Sequence, residues 1–318
     1  MQYVFGPVPS RRLGQSLGID TIPLKTCNWN CVYCQLGRSK PLCNRRVDYI
    51  PINEILSQVK NALESHETEE IDWITFVGSG EPTLHVGIGY LIKEVKGLTE
   101  IPVAVITNGS LLFLKSVRKA LATADAVLPS LDAGSPELYK KINRPHPDIA
   151  FDKYIEGMIK FRREFAGQYW LEVMLVQGIN DTREALLDIA KWIDDIQPDQ
   201  VHIALPTRPP AEKWVRPPDQ EGIMRAITIL GDVARVAPPT AGKFDLGNQE
   251  HIVDTIISII TRHPMSEKQM QSALSNFSLE KQTEVINSLK ASKQAQVIER
   301  FGQRFWCGSP AFFPDQAK

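Results

Sequence analysis

The segment Thr26-Cys27-Asn28-Trp29-Asn30-Cys31-Val32-Tyr33-Cys34 gathers three of the five cysteines of this 318-residue chain within eight residues. It follows an apolar run, residues 17–22, that is typical of a buried strand. Three thiolates on one tight loop can hold three irons of a 4Fe–4S cluster, and the fourth iron is then open to a small molecule. The spacing therefore predicts a metal site at the end of the first strand.

A zinc knuckle or a four-cysteine electron-transfer cluster is the structural alternative for this segment. Either one requires a fourth ligand, and Cys43 and Cys307 are the remaining cysteines. Clustered thiols in a reducing compartment favour a metal or redox site over disulfides. The identity of the metal stays open at this point.

Short apolar runs alternate with amphipathic segments from about residue 17 to residue 235. Alternation of this kind, with short loops, predicts parallel strands joined by crossover helices. Six units predict an α/β fold, a partial (β/α)6 TIM-like barrel, because a closed TIM barrel has eight. The predicted strands are 17–22, 73–77, 103–106, 126–131, 171–176 and 201–205, and the predicted helices are 52–65, 89–96, 115–122, 152–165 and 181–196.

The chain changes character after residues 238–242, PPTAG, which are typical of a linker. Three short helical patterns and a hairpin around Phe301-Gly302 then predict a small C-terminal winged-helix-like α+β module. We therefore expect two domains, residues 1–245 and 246–318. The second holds eight basic and seven acidic residues. That balance favours protein or substrate docking, or a structural cap, over specific DNA binding.

Polar motifs follow the next three predicted strands. Gly78-Ser79-Gly80-Glu81 comes after the second strand, Asn108-Gly109 after the third, and Ser130-Leu131-Asp132 after the fourth. The carboxyl ends of parallel strands meet at one end of a barrel, where sites form. Small residues let backbone carbonyls approach an ammonium group, and Ser130 with Asp132 offers acceptors for ribose hydroxyls. Each motif alone is also explained by a plain turn or a helix cap.

Taken in order, the four motifs resemble the radical S-adenosylmethionine (SAM) superfamily over roughly residues 15–210. C-x-x-x-C-x-aromatic-C is the signature of that superfamily, and residues 78–82 are similar to its Gly-Gly-Glu-Pro motif. The resemblance implies that Cys27, Cys31 and Cys34 ligate a 4Fe–4S cluster. It also implies that SAM is bound, with Tyr33 near the adenine, by Tyr33, Gly78, Ser79, Gly80, Glu81, Asn108, Ser130 and Asp132.

By this resemblance the chain is an enzyme. One electron, from a reductase such as flavodoxin or ferredoxin, enters the cluster, and a carbon–sulfur bond of SAM breaks to give methionine and a deoxyadenosyl radical. The radical then abstracts a hydrogen atom from a substrate, for which a tRNA base, a peptide and a small metabolite stay open. The alternative is an iron–sulfur or zinc-binding regulatory protein that acts through its winged-helix module.

The opening segment 9–18, PSRRLGQSLG, is similar to that of a stand-alone prokaryotic radical SAM group loosely related to wybutosine-type tRNA-modifying enzymes. The chain has no second cysteine trio for the auxiliary cluster of those enzymes. Residues 1–50 hold seven Lys/Arg and two Asp/Glu, a local charge of +5 by subtraction. Such a patch attracts phosphates of a tRNA or of a small substrate, and a solvated loop is the alternative.

The whole chain has a formal net charge of −1, which argues against a strongly basic nucleic-acid binder. Its start lacks the basic and apolar regions of a secretory signal, and its most apolar stretch, 252–260, is too short to span a membrane. We therefore expect a cytoplasmic protein with no membrane partner. Weaker predictions for side chains that face the cavity are Met174, Gln177, His202 and Arg208.

We predict that replacing Cys27, Cys31 or Cys34 by Ala abolishes cluster binding, because each change removes a thiolate ligand. Cys43→Ala and Cys307→Ala are the matched controls and should keep the cluster. Iron content and the visible absorption spectrum after anaerobic reconstitution measure the result. Loss of the cluster in Cys43→Ala would instead indicate coordination by four cysteines.

Overall fold

One eight-stranded sheet forms the scaffold of the first part of the chain. The computed structural model describes residues 2–238, 242, 244–246, 251–311 and 313. Strands follow one another in the sheet in chain order, and every neighbouring pair from the second strand onward is parallel. The strands are β1 (Val4–Ser10), β2 (Gly14–Ile19), β3 (Trp73–Phe76), β4 (Val103–Thr107), β5 (Ala126–Pro129), β6 (Gln168–Met174), β7 (Gln200–Ala204) and β8 (Ala234–Val236).

Amphipathic helices connect the parallel strands and bury their apolar faces against the sheet. In α5, for example, Tyr154, Met158 and Phe161 are all buried, at the three- and four-residue spacing of one helix face. This arrangement confirms the predicted α/β partial barrel. The helices are α1 (Ile52–Glu64), α2 (Ile88–Lys96), α3 (Lys115–Leu121), α4 (Pro136–Ile142), α5 (Phe151–Glu164), α6 (Arg183–Ile196) and α7 (Gln220–Leu230).

The six predicted strands correspond to β2 through β7, whereas β1 and β8 were not predicted. β1 contains Pro7 and Pro9, which lack a backbone donor and argue against a strand. An edge strand tolerates proline because one side of its backbone has no partner strand. β1 is such an edge strand. Within the part of the chain that the structure describes, it pairs only with β2, in the antiparallel direction. β8 spans three residues, too few to form a recognisable pattern.

The C-terminal segment forms a separate three-stranded antiparallel sheet with three helices, which confirms the predicted α+β module. Its strand order is β10-β11-β9. The division near residue 245 stays a prediction, because much of 239–250 lies outside the described residues. Within the described ranges, no helix is long and apolar enough to cross a membrane. The elements are α8 (Ile252–Arg262), β9 (Met265–Ser266), α9 (Glu267–Leu274), α10 (Leu279–Ala291), β10 (Ala295–Arg300) and β11 (Gln303–Gly308).

Phe5 of β1 joins the C-terminal module to the barrel. Its ring packs into an apolar cluster with Ile256 and Ile259 of α8. The ring also covers Gly18 of β2, where an added Cβ would stand 2.3 Å from the Phe5 ring. The guanidinium of Arg262 lies over the Phe5 ring, 5.2 Å from its centroid. The strand β1, which the sequence did not predict, is therefore the surface on which α8 docks.

We predict that Phe5→Ala lowers the free energy of unfolding by about 3–5 kcal/mol, because it empties a buried aromatic site between β2 and α8. Tyr90→Ala on α2 is the control, since the Tyr90 side chain is 54% exposed and its loss should cost little. Urea denaturation of both variants measures the difference. Equal stability of the two variants would contradict the proposed role of Phe5.

Candidate active site

A cavity of about 320 Å³ opens at the carboxyl ends of the barrel strands. Cys27, Cys31 and Cys34 all line it, together with the glycine-rich loop that follows β3. Among the described residues, neither of the other two cysteines lines this cavity. Cys307 is buried in the C-terminal module, and the Cys43 sulfur lies 3.1 Å from the hydroxyl of Tyr49. The structure thus brings together the three thiols that the sequence singled out.

The cysteine loop is fixed in place by backbone hydrogen bonds from both sides. Asn30 N–H donates to Asn143 O at 3.0 Å, and Val32 N–H donates to Ile142 O at 2.9 Å, which tie the loop to the end of α4. On the other side Glu81 N–H donates to Thr26 O at 3.0 Å. These bonds satisfy backbone groups that would otherwise be buried without partners. These bonds therefore attach the loop to the end of α4 and to the segment after β3.

Trp29 anchors the middle of the cysteine loop in the core. Its ring lies edge-on to Tyr139 and Tyr154, with centroids 5.3 and 5.5 Å away. Edge-to-face aromatic pairs of this kind are favourable beyond their buried area. Trp29, between the first two cysteines, is thus buried among these rings, while all three thiols line the cavity.

Amide donors surround the cysteine sulfurs. Trp29 N–H donates to Cys27 Sγ at 3.4 Å, Asn108 Nδ2 lies 3.9 Å from Cys27 Sγ, and Asn143 Nδ2 lies 3.8 Å from Cys31 Sγ. Hydrogen bonds to sulfur are a feature of iron–sulfur ligation. Burial raises the pKa of both Cys27 and Cys31, with Glu81 and Asp132 respectively adding to the effect.

This donor set fits an iron–sulfur cluster. Burial disfavours the thiolate form of Cys27 and Cys31 unless strong positive charge lies nearby, and bound metal provides such charge. Three soft sulfur donors on one cavity are the ligand type that such clusters use. Within the described ranges, no three His, Cys, Asp or Glu side chains converge on a point that a single metal ion could occupy.

The glycines of the loop after β3 are required by contacts inside the protein. A Cβ on Gly80 would stand 2.0 Å from the carbonyl oxygen of Thr26, and Gly78 has a φ of +150° with a Cβ that would meet Asp20. The Ser79 carbonyl accepts a hydrogen bond from Lys25 N–H at 2.7 Å. Ser79 also donates its hydroxyl to Asp20. The loop lines the cavity, and it packs directly against the segment that leads into the cysteines.

Glu81 connects the ends of two strands. One carboxylate oxygen accepts hydrogen bonds from Thr83 N–H at 2.9 Å and from the Thr107 hydroxyl at 2.6 Å, while the other accepts from Asn108 N–H at 2.7 Å. Burial raises the pKa of Glu81, and these donors act in the opposite direction. Asn108 in turn donates from Nδ2 to Asn28 Oδ1 at 2.8 Å. The pair therefore orients the cysteine loop as well as lining the cavity.

Asp132 is buried, and protein donors saturate its carboxylate. Tyr33 donates its hydroxyl to Oδ2, Asn143 Nδ2 donates to the same oxygen at 2.6 Å, and Met174 N–H donates to Oδ1 at 2.8 Å. Burial raises the pKa of Asp132 to about 6 despite these donors. Tyr33 and Ser130 line the cavity, whereas Asp132 is not among its lining residues in the described structure. Asp132 thus holds Tyr33 rather than facing the cavity itself.

Basic side chains form a wall of the cavity that the sequence predicted only in part. Arg208, one of the weaker predictions, lines it beside Arg11 and Arg12 of the basic opening segment. Arg262 and His263 come from the end of α8. Arg262 forms an ion pair at 2.7 Å with Asp20, which lies 242 residues earlier in the chain. Nothing in the sequence marks Arg262 and His263, because only the folded chain brings them to the barrel.

The other weaker predictions divide. Met174 lines the cavity, whereas Gln177 is exposed and His202 does not belong to the described lining. The His202 ring packs edge-on against Trp170 at 5.7 Å. Burial, with Arg12 and Arg235 nearby, lowers the His202 pKa to about 4. His202 is therefore a neutral packing residue at neutral pH.

Comparisons with known proteins agree with this geometry. Residues 21–193 match the family model described as the radical SAM superfamily. A UPF0026 protein of Methanocaldococcus jannaschii is 36% identical over 302 residues, covering 92% of this chain and 93% of its own length. A radical SAM methyltransferase from Sphaerobacter thermophilus shares the fold, with a TM-score of 0.51 at 18% identity over 70% of this chain and 65% of that one.

A protein of Brachyspira hyodysenteriae named GTPase Obg is also similar, at 44% identity over 261 residues. That match covers 80% of this chain, and the chain spans only 38% of the length of that relative.

We predict that Asp132→Asn lowers the free energy of unfolding by about 1–3 kcal/mol in the absence of any ligand, because its NH2 group would replace one acceptor oxygen. That group would then face either Met174 N–H or the Tyr33 and Asn143 donors. Asp148→Asn, at an exposed carboxylate, is the control. Urea denaturation and SAM binding are measured on both variants. Unchanged stability together with weaker SAM binding would show that Asp132 contacts the ribose instead.

Proposed function

The chain belongs to the radical SAM superfamily, and on that premise we propose that it is an enzyme that cleaves SAM reductively and takes a hydrogen atom from a substrate in the same cavity. The superfamily uses a 4Fe–4S cluster and SAM as cofactors. One observation carries the proposal: the three clustered thiols and the glycine-rich loop after β3 line a single cavity at the carboxyl ends of the strands. Sites of barrel folds form at that end.

Cys27, Cys31 and Cys34 would hold the cluster. When bound, it would supply the electron that breaks a carbon–sulfur bond of SAM and so generates the deoxyadenosyl radical. The chain contributes a hydrogen-bonded loop that carries the three thiols, and amide donors to sulfur from Asn108 and Asn143. In this proposal the cofactors carry the reaction, while the protein positions them and excludes competing reactions.

SAM would lie along the loop after β3. Gly78 and Gly80 bring backbone close to the cavity, and Tyr33 and Ser130 form part of the adjoining wall. Glu81 and Asp132 have their carboxylates occupied by protein donors. We assign these two a positioning role: Glu81 sets the end of β4 against the cysteine loop, and Asp132 holds the Tyr33 ring.

The C-terminal module, residues 246–318 in the proposed division, would complete the substrate cavity. Arg262 and His263 stand in its wall, and Gln35, next to Cys34, donates from Nε2 to Arg262 O at 2.9 Å. A module that closes the site keeps water and other hydrogen donors away from a radical. A reductase such as flavodoxin or ferredoxin would supply the electron, and we place the enzyme in the cytoplasm.

We predict that the full chain, reconstituted anaerobically with iron and sulfide and then reduced with dithionite, converts SAM to deoxyadenosine. Cys31→Ala should form none, because its cluster site is incomplete, whereas Cys307→Ala, at a thiol outside the cavity, should retain the activity. Chromatography with mass detection quantifies deoxyadenosine. A wild-type chain with an intact cluster that leaves SAM uncleaved would refute the enzyme proposal.

A further inference from the structure

The basic wall of the cavity contains more positive than negative charge. Two of its arginines have carboxylate partners, since Arg12 pairs with Glu172 and Arg262 pairs with Asp20. The remaining lining carboxylate, Glu81, is occupied by donors of its own loop and of β4. The ion pairs therefore leave other cationic groups of the wall without a counter-charge.

Arg11 and Arg208 are those groups. Arg11 donates from Nη1 to Leu205 O at 3.3 Å, and Arg208 donates from Nη1 to Gln35 Oε1 at 3.0 Å. Both acceptors are neutral, and within the described structure no carboxylate forms an ion pair with either arginine. Burial, together with Arg11 and Arg12, lowers the pKa of Arg208 to about 9. A partly buried guanidinium without a counter-ion is costly, and an anionic ligand removes that cost.

His263 holds Arg208 toward the cavity. Its Nε2 lies 2.5 Å from Arg208 Nη2, so the ring accepts this hydrogen bond and is neutral. Burial and the neighbouring Arg208 lower the pKa of His263 well below its usual value, which agrees with a neutral ring. Gln35 fixes the other side of the guanidinium and directly follows Cys34 in the chain. Arg208 is therefore oriented by two neutral groups that leave its charge for a ligand.

We propose that Arg11 and Arg208 form an oxyanion subsite that binds a phosphate or carboxylate group of the substrate, in the cavity that the three cysteine thiols line. Planar guanidinium groups match the geometry of such oxyanions and bind them through paired hydrogen bonds. The proposal depends on the proposed function in one respect, since it takes the bound anion to be the substrate of that reaction. It narrows the substrate class to anionic molecules whose charged group reaches the wall formed by β1, the segment after β7 and the end of α8.

The test is calorimetric titration of the full-length chain with inorganic phosphate and, separately, with malonate as a carboxylate probe. We expect Arg208→Met and Arg11→Met each to weaken binding of the preferred probe at least about tenfold. Arg208→Lys keeps the charge without the planar fork, so we expect it to bind more weakly than wild type and more tightly than Arg208→Met. Arg163→Met, at an exposed arginine of α5, is the matched control and should bind as wild type does.

Each outcome decides the inference. Preference for phosphate over malonate, or the reverse, identifies the oxyanion and supports the subsite. Binding that is equal in wild type and both Met variants overturns it, provided that circular dichroism shows the variants to be folded. Phosphate that displaces SAM from the reconstituted chain also overturns it, because the arginines would then belong to the cofactor site. A wild type that binds the anion at these arginines but never cleaves SAM refutes the proposed function and leaves the subsite standing.

Discussion

The candidate site depends on the contacts that fix the cysteine loop, residues 26–34, at the carboxyl end of the parallel sheet. The carbonyl oxygen of Thr26, at the start of this loop, lies so close to the segment after β3 that only glycine fits at position 80. Backbone bonds from the end of α4 fix the other side of the loop, and Trp29 buries its middle. Because the backbone is constrained on both sides, the three thiols have little freedom other than to face the cavity. A loop that already places its thiols together leaves less of the chain to be ordered when the cluster binds.

Two motif residues make hydrogen bonds within the protein. Glu81 and Asp132 are hydrogen-bond acceptors, and the sequence predicts that they contact SAM. In the fold their oxygens accept hydrogen bonds from the strand ends and from Tyr33. Burial makes an unsatisfied carboxylate costly, so each is surrounded by donors. The positioning role that we propose for them acts through the loop and the ring that these hydrogen bonds hold.

The sequence predicted the six parallel strands and the three cysteines, because apolar periodicity and local spacing survive in the linear chain. It did not predict β1, whose prolines are tolerated only at a sheet edge, a property of the sheet and not of the segment. It also missed Arg262 and His263 as cavity residues, because their place depends on the docking of α8 against Phe5. The sequence shows that the opening segment is basic. It does not show which of these charges are paired, because Arg12 finds its partner, Glu172, far along the chain.

We propose that one cavity holds the cluster and SAM side by side, with the C-terminal module in its wall. A crystal structure of the reconstituted full chain with SAM, with diffraction recorded at the iron absorption edge, tests it directly. We expect anomalous density for a cluster bonded to Cys27, Cys31 and Cys34, with SAM on the remaining iron and along residues 78–80. Cys43 as a fourth ligand, or SAM bound outside this cavity, would contradict it.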